Sequence, residues 1–265
     1  MCIRDRVTND DGINAPGIKI LNQIASELAG PQGDVWLVAP ESEQSGVGHC
    51  INYINPTRVS KVSSQKIAIQ GSPADCVLAG LHYISKKGKP DLILSGINKG
   101  NNSGENTIYS GTVGAAMEGA LQGIPSIALS QYFGPENITL ENPFEAASQF
   151  GVSLIMDIYK KTNWGDGGYK TFYNVNFPPV QSINVKGTRV VSQGLRNTKF
   201  NVEPAIAPNG REFLWIKGNR QDIPTEIGTD VHANLNGYIS VTPMTCNLTS
   251  YELIDDLKKK LECEK

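Results

Sequence analysis

The feature that most constrains the fold is an alternation of short apolar runs with helical periodicity through the first 180 residues. Each apolar run is typical of a strand, and the helical segments place apolar side chains three and four residues apart. The predicted strands cover residues 1–8, 35–39, 91–95, 124–129 and 172–177, and the predicted helices cover residues 16–28, 73–86, 110–121 and 144–159. This order predicts a doubly wound α/β fold with a mostly parallel sheet.

The pattern changes after Pro179, where short β-type pieces are separated by polar loops. These pieces cover residues 188–192, 212–216 and 238–242, and a charged helix is predicted over residues 249–262. We therefore expect a core over residues 1–185. Residues 186–265 are expected to form a β-rich extension with a terminal helix, used for oligomerisation.

Charge and cysteine content exclude several classes of protein. The 265 residues carry a formal net charge of −2, which argues against duplex nucleic acid as the main partner. No apolar run approaches the roughly 18 residues that a membrane span requires. Five scattered cysteines without a C-x-x-C pair favour reduced thiols over a disulfide framework or a zinc site. A cytoplasmic protein is expected.

Two neighbouring loops offer oxygen ligands for a metal ion. Asp10 and Asp11 end the first strand, and adjacent carboxylates suit a hard cation such as Mg²⁺ or Mn²⁺. The same Asn-Asp-Asp-Gly sequence is also typical of an Asx turn that leads into a helix. Ser45, in the loop after the second strand, offers a further oxygen.

Two more segments fall at the same edge of the predicted sheet. In the polar loop after residue 95, Asn98 offers a carbonyl oxygen to a metal and Asn102 an amide N–H to a phosphate, although an ordinary polar loop has the same composition. Ser110, Gly111 and Thr112 open a helix, where free N–H groups and the helix dipole favour anions. Simple N-capping explains their residue types equally well.

Other catalytic and binding motifs are missing from the sequence. It has no G-x-x-x-x-G-K-[ST], no G-x-G-x-x-G after a strand, no G-x-S-x-G and no cysteine followed six residues later by arginine. The histidines are far apart in sequence. We interpret His82 as structural and His49 as a solvated loop residue.

Taken together, these segments resemble the SurE family, the survival-protein nucleotidases of bacteria and archaea. The resemblance extends over nearly the whole chain and rests on residues 9–12, 15–17, 38–40, 44–46, 71–76, 95–100, 109–113, 228–230 and 237–243. It implies a Rossmann-like core and a C-terminal extension exchanged between the subunits of a homodimer or homotetramer.

The resemblance also implies an activity and a site. The activity is metal-dependent hydrolysis of nucleoside 5′- and 3′-monophosphates, in some members also of polyphosphate ends. It implies that one divalent cation per subunit is held by the side chains of Asp10, Asp11, Ser45 and Asn98. It implies that the phosphate contacts Asn102 and the Ser110-Gly111-Thr112 helix start. Asp10 or Asp11, with preference for Asp10, would orient the attacking water or act as the base.

Two alternatives of other classes stay open: a catalytically silent nucleotide-binding protein, and an assembly protein whose C-terminal part matters more than its pocket. One feature departs from the family pattern. Arg4, Asp5 and Arg6 stand where an apolar strand is expected before the Asp pair. Because unpaired buried charges cost several kcal/mol, we expect that residues 1–6 are not the native start of the protein.

Overall fold

The structure, a computed structural model, describes residues 4–84, 88–197, 200–218 and 220–262. Its strands are β1 Arg4–Thr8, β2 Asp34–Pro40, β3 Val59–Lys61, β4 Lys66–Ile69, β5 Leu92–Lys99, β6 Ser126–Gln131, β7 Thr171–Phe177, β8 Thr188–Val190, β9 Asn201–Ile206, β10 Glu212–Lys217 and β11 Ile239–Thr245. Its α-helices are α1 Pro16–Ala29, α2 Pro73–Ile84, α3 Asn106–Tyr109, α4 Gly111–Leu121, α5 Glu145–Lys161, α6 Asp230–Leu235 and α7 Ile254–Leu261.

Nine of the described strands form one sheet in the order β3-β4-β2-β1-β5-β6-β7-β11-β8. The six strands from β4 to β7 in this order run parallel, whereas β3 and β11 run antiparallel to their neighbours β4 and β7. Strands β9 and β10 form a separate antiparallel hairpin. The predicted doubly wound α/β fold is confirmed.

Helices cover both faces of this sheet, which explains why β5, β6 and β7 are buried along nearly their whole length. On one face α1 packs against α5, and on the other face α2 packs against α4. The apolar positions of α1 follow the helical period and are buried: Ile18, Leu21, Ala25 and Leu28. Helix α4 is rich in Gly and Ala and is buried along most of its length.

The C-terminal part contributes to the main sheet as well as to the hairpin. Strand β11 lies between β7 and β8, so two strands from beyond residue 185 complete one end of the sheet. The predicted boundary at residue 185 stays a prediction. Strand β9 and helix α6 were not predicted, and the predicted terminal helix is shorter, with a 3₁₀ turn at Tyr251–Leu253 before α7.

Strand β5, at the carboxyl edge of the sheet, differs from its prediction. Strand β5 continues to Lys99, although the sequence predicts a loop after residue 95. Its pairing with β6 shifts register between Ser95 and Asn98, an irregularity that lets a short polar segment remain in the sheet.

The expectation that residues 1–6 are not native concerns residues 1–3 and the side chains of residues 4–6, which lie outside the described part. Among the described helices, none is long and apolar enough to cross a membrane.

Candidate active site

The predicted site residues meet at the carboxyl edge of the sheet, around a small polar cavity of about 170 Å³. Five of the eight predicted residues line it: Asp10, Ser45, Asn98, Asn102 and Ser110. The other three, Asp11, Gly111 and Thr112, are bonded to or packed against residues of this cavity, as described below. A parallel α/β sheet binds ligands at this edge, close to where the strand order reverses beside β1.

Asp10 is the most buried of the predicted ligands, with 3% of its surface exposed. Both of its carboxylate oxygens accept hydrogen bonds from Thr112, one from the hydroxyl at 2.5 Å and one from the backbone N–H at 3.2 Å. Burial raises the pKa of Asp10 from 3.8 to about 6; the charge of Asp11 adds to the rise, and the bonds from Thr112 oppose it. The side chain is therefore held in one place, and no cationic side chain among the described residues pairs with it.

Gly111 allows helix α4 to begin directly against Asp10. A Cβ at this position would lie 3.0 Å from the Asp10 Cβ and 3.0 Å from the Pro73 Cγ. Ser110 caps the helix by accepting a hydrogen bond from the Val113 N–H at 3.0 Å. The Gly111 N–H makes no hydrogen bond to a described residue, so it is free to donate to an anion at the helix start.

Asp11 lies on the other side of the same turn, where strand β5 ends. Its carboxylate accepts a hydrogen bond from the Lys99 backbone N–H at 3.1 Å. Burial raises the pKa of Asp11, and the negative charge of Glu43 raises it further. The site thus concentrates two carboxylates whose ionisation is disfavoured by their surroundings.

Asn98 and Ser45 add neutral oxygens to this group. The Asn98 amide nitrogen donates to the Gly100 carbonyl at 3.0 Å, and no described residue donates to its amide oxygen. The Ser45 hydroxyl donates to Glu43 at 2.9 Å. A backbone hydrogen bond from Gln44 to the Asp10 carbonyl, 2.7 Å long, ties the Ser45 loop to the Asp pair.

A contact between histidine and glutamate side chains, which the sequence did not predict, connects the loop that carries Ser45 to α4. The His49 Nε2 lies 2.7 Å from a carboxylate oxygen of Glu118, whose side chain is only 6% exposed. Burial would raise the pKa of Glu118, but hydrogen bonds from His49 and Gln122 outweigh it and lower the pKa overall. The structure places His49 in a loop and leaves it exposed, as interpreted, and it adds the contact with Glu118.

Asn102, the predicted phosphate ligand, is fixed from beneath by two neighbouring strands. Its amide nitrogen donates to the Ser130 hydroxyl at 2.8 Å, and its backbone N–H donates to the Asn176 side chain at 2.7 Å. The Asn174 amide donates to its carbonyl. One amide hydrogen of Asn102 remains for a ligand.

Thr112 was predicted to contact the phosphate. In the structure, its hydroxyl and its backbone N–H both donate to Asp10. Its contact with phosphate stays a prediction, and the structure adds a role in holding Asp10.

Five further residues line the cavity and were not predicted as site residues: Gly46, Lys99, Asn106, Tyr109 and Phe200. Lys99 and Tyr109 lie within segments 95–100 and 109–113, which the sequence analysis had already selected. Their position next to predicted site residues could have identified them. Phe200 comes from the C-terminal part, and nothing in its local sequence connects it with the Asp pair.

The donor set fits a hard divalent cation. Two carboxylates meet at one edge with the Asn98 amide oxygen, to which no described residue donates. Both carboxylates have raised pKa values that a cation would relieve. Within the described residues no three His, Cys, Asp or Glu side chains cluster as a metal site. The remaining ligands would therefore have to be the neutral oxygens of Asn98 and Ser45, or water.

Cavity volume alone does not locate this site. A larger cavity of about 410 Å³ lies beside α1 and β2, lined by residues such as Asn22, Gln65 and Lys66. It contains none of the convergent carboxylates that mark the edge near Asp10.

Comparison with known proteins gives a consistent result along the chain. The family model described as survival protein SurE matches residues 6–200. The chain is 57% identical over 263 residues to the 5′-nucleotidase SurE of Jannaschia sp., covering 98% of this chain and 100% of that protein. It is also 57% identical over 256 residues to the 5′-nucleotidase SurE of Roseobacter denitrificans, covering 96% and 98%.

A solved structure agrees with the fold. The crystal structure of the SurE protein from Aquifex aeolicus matches with a TM-score of 0.78 and 38% sequence identity. The match covers 97% of this chain and 99% of that one.

Proposed function

Because this chain belongs to the survival protein SurE family, we propose that it is a divalent-metal-dependent phosphomonoesterase that hydrolyses nucleoside 5′-monophosphates to nucleoside and phosphate. The observation that carries the proposal is the placement of Asp10 directly against the start of α4, with Asp11 beside it in the same turn. Thr112 links the two features, because it belongs to the helix start and binds Asp10. A cation-binding pair and an anion-binding helix start thus lie side by side.

The cation would be held by Asp10, Asp11, Ser45 and Asn98, with Mg²⁺ or Mn²⁺ best suited to this oxygen set. When bound, it would supply Lewis-acid polarisation of a phosphate oxygen and acidify water. For Ser45 to join the set, its hydroxyl would turn away from Glu43, which now accepts its hydrogen bond.

The phosphate group would lie at the start of α4. The free Gly111 N–H, the Ser110 cap and the remaining amide hydrogen of Asn102 supply donors for its oxygens. These donors are fixed in advance by hydrogen bonds within the protein, so they need little rearrangement when charge shifts on the phosphate. Such preorganisation is the main source of catalysis in phosphoryl transfer.

Asp10 is our choice for the residue that orients the attacking water and accepts its proton. The choice rests on position, because two hydrogen bonds from Thr112 hold Asp10 at the start of α4, where the phosphate would lie. Water would then form a bond to phosphorus while the bond to the nucleoside oxygen breaks. The proton moves to Asp10, and the leaving oxygen takes up a proton from solvent.

We further propose that nucleoside 3′-monophosphates and short polyphosphate ends are also substrates. The cavity that the Asp pair shares with the helix start is small and polar, so the anchored group is the phosphate rather than one particular ester carbon.

The test is phosphate release from 5′-AMP, 3′-AMP and tripolyphosphate with Mg²⁺, Mn²⁺ or EDTA. Hydrolysis that depends on the added metal is expected. Hydrolysis that survives complete chelation would reject the metal mechanism, and binding of AMP without phosphate release would favour a silent nucleotide-binding protein.

We also propose that the chain assembles as a homodimer or homotetramer through its C-terminal part. The hairpin β9–β10 exposes apolar side chains on both of its faces, among them Ile206, Phe213 and Trp215, and α7 leaves Leu257 and Leu261 exposed. Exposed apolar patches of this kind usually mark protein interfaces. Sedimentation of the full chain and of a Trp215→Asp variant tests this, since the variant is expected to dissociate.

A further inference from the structure

Two aromatic rings stand at the edge of the phosphate cavity, and neither is used by the proposed chemistry. Tyr109 comes from α3 and Phe200 from the segment before β9, and both line the same cavity as Asp10. Their ring centroids are 5.0 Å apart, and their planes meet at 85°. Although they contact each other, Tyr109 stays 47% exposed and Phe200 stays 49% exposed.

The described backbone near each ring is hydrogen-bonded to other parts of the chain. Tyr109 immediately precedes the helix cap Ser110, and its carbonyl accepts a hydrogen bond from the Gly48 N–H at 2.9 Å. On the other side, the buried guanidinium of Arg196 donates to the Ser103 carbonyl at 2.8 Å and to the Asn101 side chain at 3.1 Å. The Asn197 N–H donates to Glu105 at 2.7 Å.

This geometry suits a flat ring that extends from a bound phosphate. A phosphate at the Gly111 N–H would put the group it carries beside Tyr109, two residues earlier in the chain. Perpendicular rings form a corner, so a planar ligand can stack on one ring and meet the edge of the other. Aromatic side chains stack on every nucleobase because each base has a π-face.

We propose that Tyr109 and Phe200 form a nucleobase-binding subsite of the phosphate cavity. This inference rests on the proposed function, because it names how the substrate of that same site is recognised. It assigns the selection of nucleotides over other phosphomonoesters to a residue from the C-terminal part of the chain. The polar residues around Asp10 then recognise the phosphate, and the aromatic corner recognises the base.

Ribose 5-phosphate provides a direct test, since it carries the same sugar phosphate as 5′-AMP but lacks the base. The quantity to measure is the ratio of kcat/KM for 5′-AMP to kcat/KM for ribose 5-phosphate. Phe200→Leu and Tyr109→Leu keep apolar bulk but remove a ring. Each is expected to lower this ratio by roughly five- to thirtyfold, mostly through KM for 5′-AMP, as the loss of one base-stacking contact predicts.

Two further variants sharpen the result. Phe200→Trp keeps an aromatic face and is expected to hold the ratio near the wild-type value. Tyr169→Leu removes an exposed ring outside the cavity lining and is expected to leave the ratio unchanged. Unchanged ratios in both Phe200→Leu and Tyr109→Leu would overturn the subsite.

An inhibition experiment on the unmodified chain avoids any effect of the substitutions on folding. Adenosine should inhibit hydrolysis of ribose 5-phosphate at concentrations roughly tenfold lower than ribose does. Equal inhibition by the two would contradict the subsite. Failure of the proposed function is a separate result, namely that the unmodified chain with Mg²⁺ or Mn²⁺ releases phosphate from neither substrate.

Discussion

Replacing Asp10 by asparagine should stabilise the metal-free protein at neutral pH while abolishing its proposed catalytic role. Burial raises the pKa of Asp10 from 3.8 to about 6. Between pH 3.8 and about pH 6 the folded chain binds more protons than the unfolded chain does, so the free energy of unfolding falls as pH rises. Above pH 6 the folded protein carries the full cost of a buried, ionised carboxylate.

The size of this cost follows from the two pKa values. At about 1.4 kcal/mol for each tenfold change in proton affinity, raising the pKa from 3.8 to about 6 costs about 3 kcal/mol. Asparagine has nearly the same shape without the charge. It offers only one oxygen to the two donors of Thr112, and the lost hydrogen bond costs about 1 kcal/mol. We therefore expect Asp10→Asn to be about 2 kcal/mol more stable at pH 8.

Urea unfolding in EDTA at pH 4, 6 and 8 measures this effect. At pH 4 the folded wild-type side chain is already protonated, so the two proteins should agree within about 1 kcal/mol. Asp157→Asn is the control, because Asp157 is exposed and pairs with Lys161 at the surface. A gain in stability that does not depend on pH, or a loss at pH 8, would refute the reasoning.

The same experiment with metal should reverse the order of stability. A cation that binds only the folded protein adds about 2.7 kcal/mol when its concentration is a hundred times its Kd. Mn²⁺ is therefore expected to stabilise the wild-type chain and to have little effect on Asp10→Asn. Equal stabilisation of both proteins would place the cation elsewhere.

Three further changes probe how the site is held together. Thr112→Val removes the hydroxyl that positions the Asp10 carboxylate and should lower kcat roughly ten- to a hundredfold. Thr112→Ser keeps the hydroxyl and should keep most of the wild-type kcat. Equal rates of phosphate release for the two variants would contradict this role of the hydroxyl. Gly111→Ala places a Cβ 3.0 Å from neighbouring atoms and should also lower kcat, while Gly167→Ala, which has open space around it, should not. His49→Ala leaves the buried Glu118 without its histidine partner and should lower the free energy of unfolding by about 1–3 kcal/mol, measured by urea titration.

Periodicity was enough to predict the framework of the sheet. The apolar faces of α1 and α5 and the runs of β2 and β7 carry a strong repeat, because they are buried against the sheet or within it. The Asp pair could also be placed, since the carboxyl ends of parallel strands share one edge. The local sequence did not predict the end of β5, because an irregular register keeps Asn98 in the sheet rather than in a loop.

Contacts between distant residues explain what the sequence could not provide. His49 and Glu118 are 69 positions apart, and neither carries a local sign of the pairing. Phe200 and Tyr109 are 91 positions apart in the numbering, and their rings nevertheless meet. Strand β9 and helix α6 are short, and the hairpin exposes apolar residues on both faces, so no alternating pattern marks it.

The most direct test of the central claim is to titrate Mn²⁺ into the metal-free protein while measuring both binding and phosphate release from 5′-AMP. We predict one tightly bound Mn²⁺ per chain, activity that rises in step with its occupancy, and loss of both in Asp10→Asn. Full activity before any Mn²⁺ binds, or unchanged binding and turnover in Asp10→Asn, would contradict the claim that the Asp pair beside α4 is the catalytic centre.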